Sequence, residues 1–331
     1  MVKKIIQYAV SFGLMVFFLH WAFGDQDLDL LWEALSEITA QWIVLITAIT
    51  IGTLYIRAWR WTVLMRPFAP QVTAHDAALA LAICYASNVV IPRSGEVLRS
   101  ISLKWTRNVS LSPVIATVVV ERIMDMFWLI VYIGLAIFLQ REAINNAFPS
   151  LEMASLIVLV LCLVALVGLL LISVYQHRAI QWLEPFLKRF FPIQLAEKAI
   201  GLLTTFLKGL ASLQNPLAYL ELILSSLLLN TGYVLIIFAT FAGMGLSETY
   251  GLGFPAALVI MAISSLGVVV PTPGGMGSYH VAFALPLQQI YHLPETSALA
   301  CATLAHALAT LTYLLLGGPA LLFQWLRQRR G

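Results

Sequence analysis

N-V-V-I-P-R-S-G-E-V-L-R-S-I-S-L, residues 88–103, directly follows an apolar run and contains a proline, a glycine and the charged side chains Arg93, Glu96 and Arg99. In hydrocarbon every backbone N–H and C=O has to be satisfied within the protein, so a broken helix is tolerated only where it is buried or lines a wet cavity. Ionisable side chains at that depth are candidates for function. The stretch therefore predicts a broken helix that carries a functional site.

The second half of the chain contains a related stretch. Shifting the sequence by 179 residues pairs 77–95 with 256–274 without a gap, gives seven identities in 19 positions, and aligns a proline and a glycine in both copies. Hydrophobic segments interrupted by Gly or Pro at corresponding places in two halves indicate the central site of a secondary transporter. We therefore expect an internal repeat with one broken helix in each half.

The composition indicates a polytopic membrane protein. Of the 331 residues 60% are hydrophobic and 11% are charged, and the mean hydropathy is +0.89, which is more apolar surface than one soluble core can bury. The basic residues lie in loops between apolar runs, so nucleic acid is not expected as a partner. Cys84, Cys162 and Cys301 lie within apolar runs without CxxC spacing, which is typical of core residues rather than of disulfides or metal ligands.

We predict an all-α polytopic membrane protein with six full transmembrane helices and two re-entrant broken helical hairpins. The first hairpin is expected over 77–104, because its entering run of about 15 residues is shorter than the roughly 20 that a spanning helix needs. The second is expected over 254–290. The six full spans are predicted at 5–23, 42–65, 112–139, 153–175, 217–244 and 295–326.

The loop charges predict the orientation of the chain. Lysines and arginines gather at loops and span ends on one side of this arrangement, whereas the opposite loops offer only Arg141. By the positive-inside rule the populated side is cytoplasmic, and both termini are expected there. Three full spans, an odd number, separate the starts of the two halves, so the second half is expected to be inverted relative to the first.

The predicted boundaries follow from this repeat. We expect one integral membrane domain, 1–331, divided into a first inverted repeat at 5–139, the loop and fourth span that open the second repeat at 140–177, a cytoplasmic amphipathic segment at 178–214, and the remainder of the second repeat at 215–326. Facing hairpin tips near the midplane would build one site reachable in turn from each side.

The polar side chains around the first hairpin favour an anionic ligand. A half-helix that starts after Pro92 would point its N–H groups and partial positive charge toward the centre, and arginine pairs with phosphate through two parallel hydrogen bonds. Glu121 and Asp125 are four residues apart and share one helix face. The predicted substrate-binding residues here are Asn88, Arg93, Glu96, Arg99, Glu121, Arg122 and Asp125. Alternatively, the charged members neutralise one another in a buried network that holds the broken helix together, and the two roles are compatible.

Further candidates lie on the second span and the second hairpin. Arg57 and Arg60 are near the end of the second span, where arginine can snorkel to the interface or face an aqueous pocket. Glycines in the second hairpin permit tight turns, and His280 could carry a proton or serve as a hydrogen-bonding residue, as could His306. The predicted substrate-binding residues of these two segments are Arg57, Arg60, Thr272, Gly274, Gly275 and His280.

The sequence contains no catalytic motif that indicates an enzyme. It has no G-x-S-x-G, no H-E-x-x-H and no clustered His/Cys set with metal-ligand spacing. Glu121 and Asp125 could in principle hold a divalent cation, but Arg122 beside them argues against it. We therefore expect no catalytic residues, no cofactor and no metal.

Three motifs together resemble the lysylphosphatidylglycerol synthase transmembrane family, the flippase-like domain of the multiple peptide resistance factor that also occurs in stand-alone bacterial and archaeal proteins. They are N-V-V-I-P-R-S-G-E-V-L-R at 88–99, E-R-I-M-D at 121–125 and P-T-P-G-G-M-G at 271–277. The resemblance implies lipid translocation in a bacterial or archaeal cytoplasmic (inner) membrane, with the six charged residues of the first hairpin and third span on the family's polar positions. A stand-alone member without the synthase domain is expected, and therefore no lipid aminoacylation.

Three hypotheses follow. The first is a flippase or transporter that moves a lipid with a phosphate or other anionic headgroup, such as a phospholipid, a polyprenyl-linked lipid or a glycolipid, by alternating access. The second is a non-transporting membrane subunit of a lipid-modifying enzyme complex. The third is an intramembrane transferase with Glu121 and Asp125 as acid and base groups. The sequence leaves open a homo-oligomer or a lipid-modifying enzyme as protein partner.

Overall fold

The computed structural model describes residues 2–140 and 216–330, together with residues 146–147 and scattered positions from 153 to 201. Over these residues the chain is helical and contains no β-strand, which confirms the all-α class. The helices are α1 (Val2–Phe23), α2 (Leu28–Ser36), α3 (Ala40–Met65), α4 (Ala74–Val90), α5 (Gly95–Arg107), α6 (Leu111–Leu139), α7 (Pro216–Gly243), α8 (Leu246–Tyr250), α9 (Phe254–Val269), a 3₁₀ turn (Pro273–Gly275), α10 (Ser278–Gln289) and α11 (Glu295–Arg330).

Several of these helices are long and apolar enough to cross a membrane. Four qualify alone, namely α3, α6, α7 and α11. α1 and α2 qualify together as a fifth, although the chain bends by 82° between them. The protein is therefore a multi-pass membrane protein. The predicted loop and fourth span at 140–177 and the amphipathic segment at 178–214 lie largely outside the described residues.

Residues 91–94, the first break, interrupt the helix between α4 and α5. Pro92 has no N–H to donate, and its ring disfavours helical backbone at the preceding residue. Ile91 is accordingly extended, with φ −130° and ψ 111°. Arg93 then adopts a φ of 63°, a left-handed conformation that costs a residue with a side chain about 1–2 kcal/mol. The interruption lies where Pro92 and Gly95 predict it.

α5 returns along α4 after the first break. A Cβ added to Gly95 would lie 2.0 Å from the carbonyl oxygen of Cys84, so only glycine allows this approach of the two helices. At their other ends, Arg107 Nε lies 2.8 Å from Asp76 Oδ2. Because residue 95 meets residue 84 and residue 107 meets residue 76, the two helices run antiparallel.

Residues 270–277, the second break, separate α9 from α10. This segment contains two prolines, and Gly274, Gly275 and Gly277 have φ values of 59°, 78° and 78°, which glycine adopts without a steric penalty. The second break contacts the last turn of α4 directly before the first break, because a Cβ added to Gly274 would lie 3.3 Å from the Cα of Val89. The structure therefore brings the two predicted interruptions together.

Two clusters of buried apolar residues hold the helices around these breaks. The larger one surrounds α9, whose Ala257, Val259 and Ile260 are fully buried against α6, α7, α10 and α11. The second joins α3, α4 and α6 around Trp61 and the alanines of α4. Small side chains at such contacts let helix backbones approach closely, as is common between helices in membranes. α4 is thereby fixed between α3, α5 and α11.

Candidate functional site

Two carboxylates of α6 face two arginines of α3. Arg57 places Nε 2.8 Å from Glu121 Oε1 and Nη2 2.5 Å from Asp125 Oδ2. Arg60 Nη2 lies 3.3 Å from Glu121 Oε1 and also pairs with Asp125. The face that the two carboxylates were predicted to share is therefore an ion-pairing face.

Arg99 of α5 joins this group from the first broken element. Its Nη1 lies 2.8 Å from Glu121 Oε2, and its guanidinium carbon lies 4.5 Å from the centre of the Trp61 ring, within the range of a cation–π interaction. The ion-pair cluster consists of Arg57, Arg60, Arg99, Glu121 and Asp125. Three arginines against two carboxylates leave it with one excess positive charge.

The ion-pair cluster is buried except on one side. The side chains of Glu121 and Arg60 are 0% exposed and that of Arg99 is 1% exposed, whereas the side chain of Asp125 is 24% exposed. Next to Asp125, the 45% exposed side chain of Arg122 places Nη2 2.5 Å from Glu96 Oε1. The cluster is therefore exposed on the side of Asp125, Arg122 and Glu96.

The interpretation that Arg57 and Arg60 snorkel to the interface is wrong. Both side chains are buried and point at α6 instead. The reason is that α6 supplies two carboxylates at the same depth, and a buried charge is stable only when it is paired and hydrogen-bonded. The charged network that we considered as an alternative to substrate binding is present in part. It includes the two arginines of α3, which were not expected in it, and within the described residues it does not include Arg93.

Some buried N–H groups of the cluster have no partner within the described part of the chain. They are Nε and Nη2 of Arg99 and Nε of Arg60, while Nε of Arg57 lies close to Glu121 Oε1 without the geometry of a hydrogen bond. Buried polar atoms are almost always hydrogen-bonded, and an exception calls for an explanation such as a missing ligand or water. The unpaired donors lie on the same arginines that carry the excess positive charge, so this region is suited to an anion.

α7 supplies two residues that sequence reasoning missed. Arg60 Nη1 donates to Ser226 Oγ at 3.2 Å, and Arg57 Nη1 donates to the Tyr233 hydroxyl at 3.4 Å. α7 contains several other hydroxyl residues, so the sequence offered no signal to separate these two from their polar neighbours. Only the packing of α7 on α3 identifies them.

Arg93 lies in the first break and differs from the other arginines. Its side chain is exposed, and within the described residues it makes no ion pair or hydrogen bond. The left-handed backbone presents a long cationic side chain at the tip of the broken element. Strained conformations of this kind concentrate at binding and catalytic sites. The structure therefore leaves Arg93 free to contact a ligand.

Asn88 bridges the two sides of the first break. Its side-chain Oδ1 accepts a hydrogen bond from Gly95 N–H at 2.8 Å, which satisfies one of the four donors that the start of α5 leaves without an intrahelical partner. Oδ1 of Asn88, which could accept a hydrogen bond from a ligand, is thus already engaged. The prediction that Asn88 binds substrate is not tested by this contact.

Replacing Asn88 by alanine is expected to lower the free energy of unfolding by about 1–2 kcal/mol, because the partly buried N–H of Gly95 loses its acceptor. Asn88→Asp keeps an acceptor at the same place and should retain most of the stability. Thermal melting of both purified variants in detergent measures this difference. Equal melting temperatures for wild type and Asn88→Ala would contradict the bridging role.

The predicted residues of the second hairpin gather at the second break. Thr272 Oγ1 and Ser278 Oγ lie 2.9 Å apart and are buried, and the carbonyl of Gly274 accepts a hydrogen bond from His306 Nε2 at 2.9 Å. His280 is buried beside His306. Substrate binding by Thr272, Gly274, Gly275 and His280 stays a prediction. Over the described residues, no group of three His, Cys, Asp or Glu side chains could hold a metal ion.

Comparisons with known proteins agree with this description of a membrane chain. A family model described as the lysylphosphatidylglycerol synthase TM region matches residues 4–317. The glycosyltransferase AglD of Haloferax volcanii is 22% identical over 282 residues, which cover 77% of this chain and 45% of AglD. The chain thus spans less than half the length of that relative. No solved structure matches it.

Proposed function

Because the chain belongs to the lysylphosphatidylglycerol synthase transmembrane family, we propose that it moves a lipid with a phosphate-bearing or otherwise anionic headgroup between the leaflets of a cytoplasmic membrane. Membrane-lipid handling fits the family. The kind of lipid is inferred from the charge of the site, lipid movement between leaflets from the family, and the transport mechanism from the two breaks.

The observation that carries the proposal is the excess positive charge of the ion-pair cluster. Uncompensated charge within a membrane protein is costly and marks ligand or ion pathways. An anionic headgroup that enters beside Asp125 and Arg122 would compensate this charge and could accept hydrogen bonds from the unpaired donors of Arg99. Phosphate suits guanidinium groups because their planar geometry allows paired hydrogen bonds.

Apolar residues at the two breaks support an amphipathic substrate. Val90 and Val97 flank the first break and are exposed, and Val268 and Val269 are exposed at the end of α9 before the second break. Acyl or polyprenyl chains can pack against these side chains while the headgroup lies at the cluster. An apolar surface next to a cationic site fits a lipid better than a free anion.

The transport mechanism we propose is alternating access in an inverted repeat, with six full spans and the two broken elements as re-entrant hairpins. Two observations support it. Gly274 of the second break contacts Val89 at the end of α4, next to the first break, and the sequences around the two breaks align without a gap. Paired broken helices that meet at a central site are the arrangement of many secondary transporters. The loop charges favour cytoplasmic termini.

We propose that the chain itself is not an enzyme. Glu121 and Asp125 are both engaged by arginines, which leaves them poorly suited as general acid and base. The relative AglD is named a glycosyltransferase, and this favours the second candidate function, a membrane subunit of a lipid-modifying enzyme complex. Such a subunit would not move lipid between leaflets and would co-purify with a lipid-modifying enzyme.

Replacing Arg93 by alanine is expected to weaken binding of the anionic lipid about tenfold, since one charge-assisted hydrogen bond contributes about 1.5 kcal/mol. The melting temperature should stay unchanged, because the side chain is exposed and makes no ion pair in the described structure. Native mass spectrometry of the protein taken from its own membrane measures lipid retention, and fluorescent phosphatidylglycerol in liposomes measures its transfer.

The matched control is Arg66→Ala, which removes an exposed arginine whose ion pair with Glu221 lies at the end of α3. Arg66→Ala should retain the lipid. If wild type neither retains nor transfers an anionic lipid and instead co-purifies with a lipid-modifying enzyme, the transport proposal is wrong and the subunit function is favoured.

A further inference from the structure

Two histidines lie in ring contact behind the second break. The ring centres of His280 on α10 and His306 on α11 are 4.9 Å apart, at an interplanar angle of 70°. His306 Nε2 lies 2.9 Å from the carbonyl oxygen of Gly274. A carbonyl can only accept, so Nε2 of His306 carries the proton of this hydrogen bond. Through it, the histidine pair is attached to the second break.

His280 is not the satisfied hydrogen-bonding residue that the sequence allowed. The side chain is buried, and its Nδ1 has no hydrogen-bond partner in the described structure. A buried unpaired ring nitrogen is unfavourable and calls for an explanation. An imidazole nitrogen that lacks a partner is available to bind a proton, and histidine is the side chain whose ordinary pKa of about 6.5 suits this near neutral pH.

A cavity connects His280 to the surface. Its volume is about 90 Å³, and Trp21 of α1, Gln288 of α10 and Glu295 of α11 contribute to its lining together with His280. This volume can hold water, since a single water needs only about 10–15 Å³ measured in this way. Glu295 is exposed at the start of α11. The cavity reaches His280, the ring of His280 contacts that of His306, and His306 is hydrogen-bonded to the Gly274 carbonyl of the second break.

The surroundings of His280 contain little charge. The helices α1, α9 and α11 contact α10, and Gly275 of the 3₁₀ turn lies beside Tyr279. α9 and the turn contain no titratable side chain, and His20 of α1 is exposed. α11 provides Cys301, which is buried, and Glu295 at the cavity, while α10 itself adds Tyr279 beside both histidine rings.

A proton on the pair would therefore be poorly compensated in this conformation. Within the described residues no carboxylate forms an ion pair with either histidine, and Glu295 is the acidic side chain that borders the cavity. A buried charge without a partner is strongly disfavoured. A protonated pair consequently favours a different arrangement, in which the rings face water. His306 keeps its hydrogen bond to the Gly274 carbonyl when it is protonated, so the second break has to move with the ring.

We propose that His280 and His306 form a proton-binding site, and that proton entry through the cavity moves the second break and drives lipid transfer. This inference rests on the proposed lipid transport and adds its energy source. The proton passes from water in the cavity to a ring nitrogen of the histidine pair, and it is released to water on the opposite side of the membrane once the second break has moved. The conformation described here is the proton-free one.

The first test uses the full chain in liposomes of phosphatidylethanolamine and phosphatidylglycerol that contain a fluorescent phosphatidylglycerol and an entrapped pH-sensitive dye. The quantity compared is the transfer rate with a two-unit pH gradient divided by the rate without one. A two-unit pH gradient is a hundredfold ratio of proton concentrations. If one proton is bound in each transport cycle, we therefore expect the ratio of transfer rates to be at least about ten for wild type in one gradient direction.

His280→Gln and His306→Gln should reduce this ratio to about one, because neither glutamine can take up a proton. His20→Gln, which removes an exposed histidine of α1, should leave the ratio unchanged. Dividing each rate by the rate without a gradient removes any effect of a variant on transfer itself. A wild-type ratio near one, or a large ratio that survives in His280→Gln, would overturn the proton site while leaving lipid transport intact.

The second test does not require transport. Nitrogen-15 NMR of histidine-labelled protein in lipid nanodiscs, titrated from pH 8 to pH 5, follows each ring directly, with signals assigned by the single His→Gln variants. We expect one proton to be taken up by the pair, with His306 signals changed by His280→Gln. If neither ring titrates, the proton site is wrong. If the rings titrate but wild type transfers no lipid, the proposed function fails instead.

Discussion

Glu121→Gln is expected to lower the free energy of unfolding by about 3–5 kcal/mol, the usual cost of removing one partner from a buried ion-pair network. Glu121 is 0% exposed and contacts Arg57, Arg60 and Arg99. Glutamine has nearly the same shape, so packing is preserved and the loss is one negative charge. Asp125 alone would then face three arginines, and the excess positive charge of the cluster would rise from one to two.

The measurement is thermal melting of the purified protein in detergent, with gel filtration to check that the variant is monodisperse. Glu221→Gln is the matched control, since Glu221 forms a two-point ion pair with Arg66, at 2.8 and 2.9 Å, in an exposed position. Such surface pairs contribute about 0–1 kcal/mol. Equal melting temperatures for the two variants would mean that the ion-pair cluster does not hold α3, α5 and α6 together.

Gly317→Ala is expected to be the most disruptive single-methyl substitution in α11. An added Cβ would lie 2.2 Å from the carbonyl oxygen of Ala82 and 2.4 Å from its carbonyl carbon. These are backbone atoms of α4, so the clash cannot be relieved by a side-chain rotation and the two helices have to separate. Overpacking of this kind typically costs about 1–3 kcal/mol and occasionally more, and we expect the upper end here.

The adjacent Gly318 provides the control. It lies in the same helix, and an added Cβ meets no atom within 4 Å apart from its chain neighbours. Alanine has the higher helix propensity, but Pro319 follows, and its ring disfavours helical backbone at a preceding residue with a Cβ, so Gly318→Ala should change the stability by less than about 1 kcal/mol. The two variants differ by one residue position, and Gly317→Ala should lower the melting temperature much more than Gly318→Ala. A similar effect of both would show that α11 and α4 are not in close contact.

The two helix breaks could be predicted from the sequence because proline and glycine act locally. Pro92 removes a hydrogen-bond donor and restrains its neighbour whatever surrounds it, and the glycine run at 274–277 needs no tertiary contact to adopt left-handed backbone. The common face of Glu121 and Asp125 followed equally from helix geometry. These predictions depend on neighbours within one turn or one break.

The partners of these residues could not be predicted, since they depend on how distant helices pack. Arg57 was expected either at the interface or in a pocket, because the sequence does not give the depth of a residue near a helix end. Its position was decided by α6, which follows about 60 residues later in the chain. Asn88 was grouped with charged neighbours, and only the structure shows its hydrogen bond across the first break.

The contact between Gly274 and Val89 has a mechanical consequence. On either side of it the chain is held by close backbone packing, Gly95 against Cys84 in one broken element and Gly267 against Ser278 in the other. In the described residues no hydrogen bond joins the two breaks, and each pair of touching carbon atoms contributes only about 0.1–0.2 kcal/mol. When the molecule changes conformation, we expect the contact between Gly274 and Val89 to separate first. The broken elements α4–α5 and α9–α10 should then each move as a rigid body.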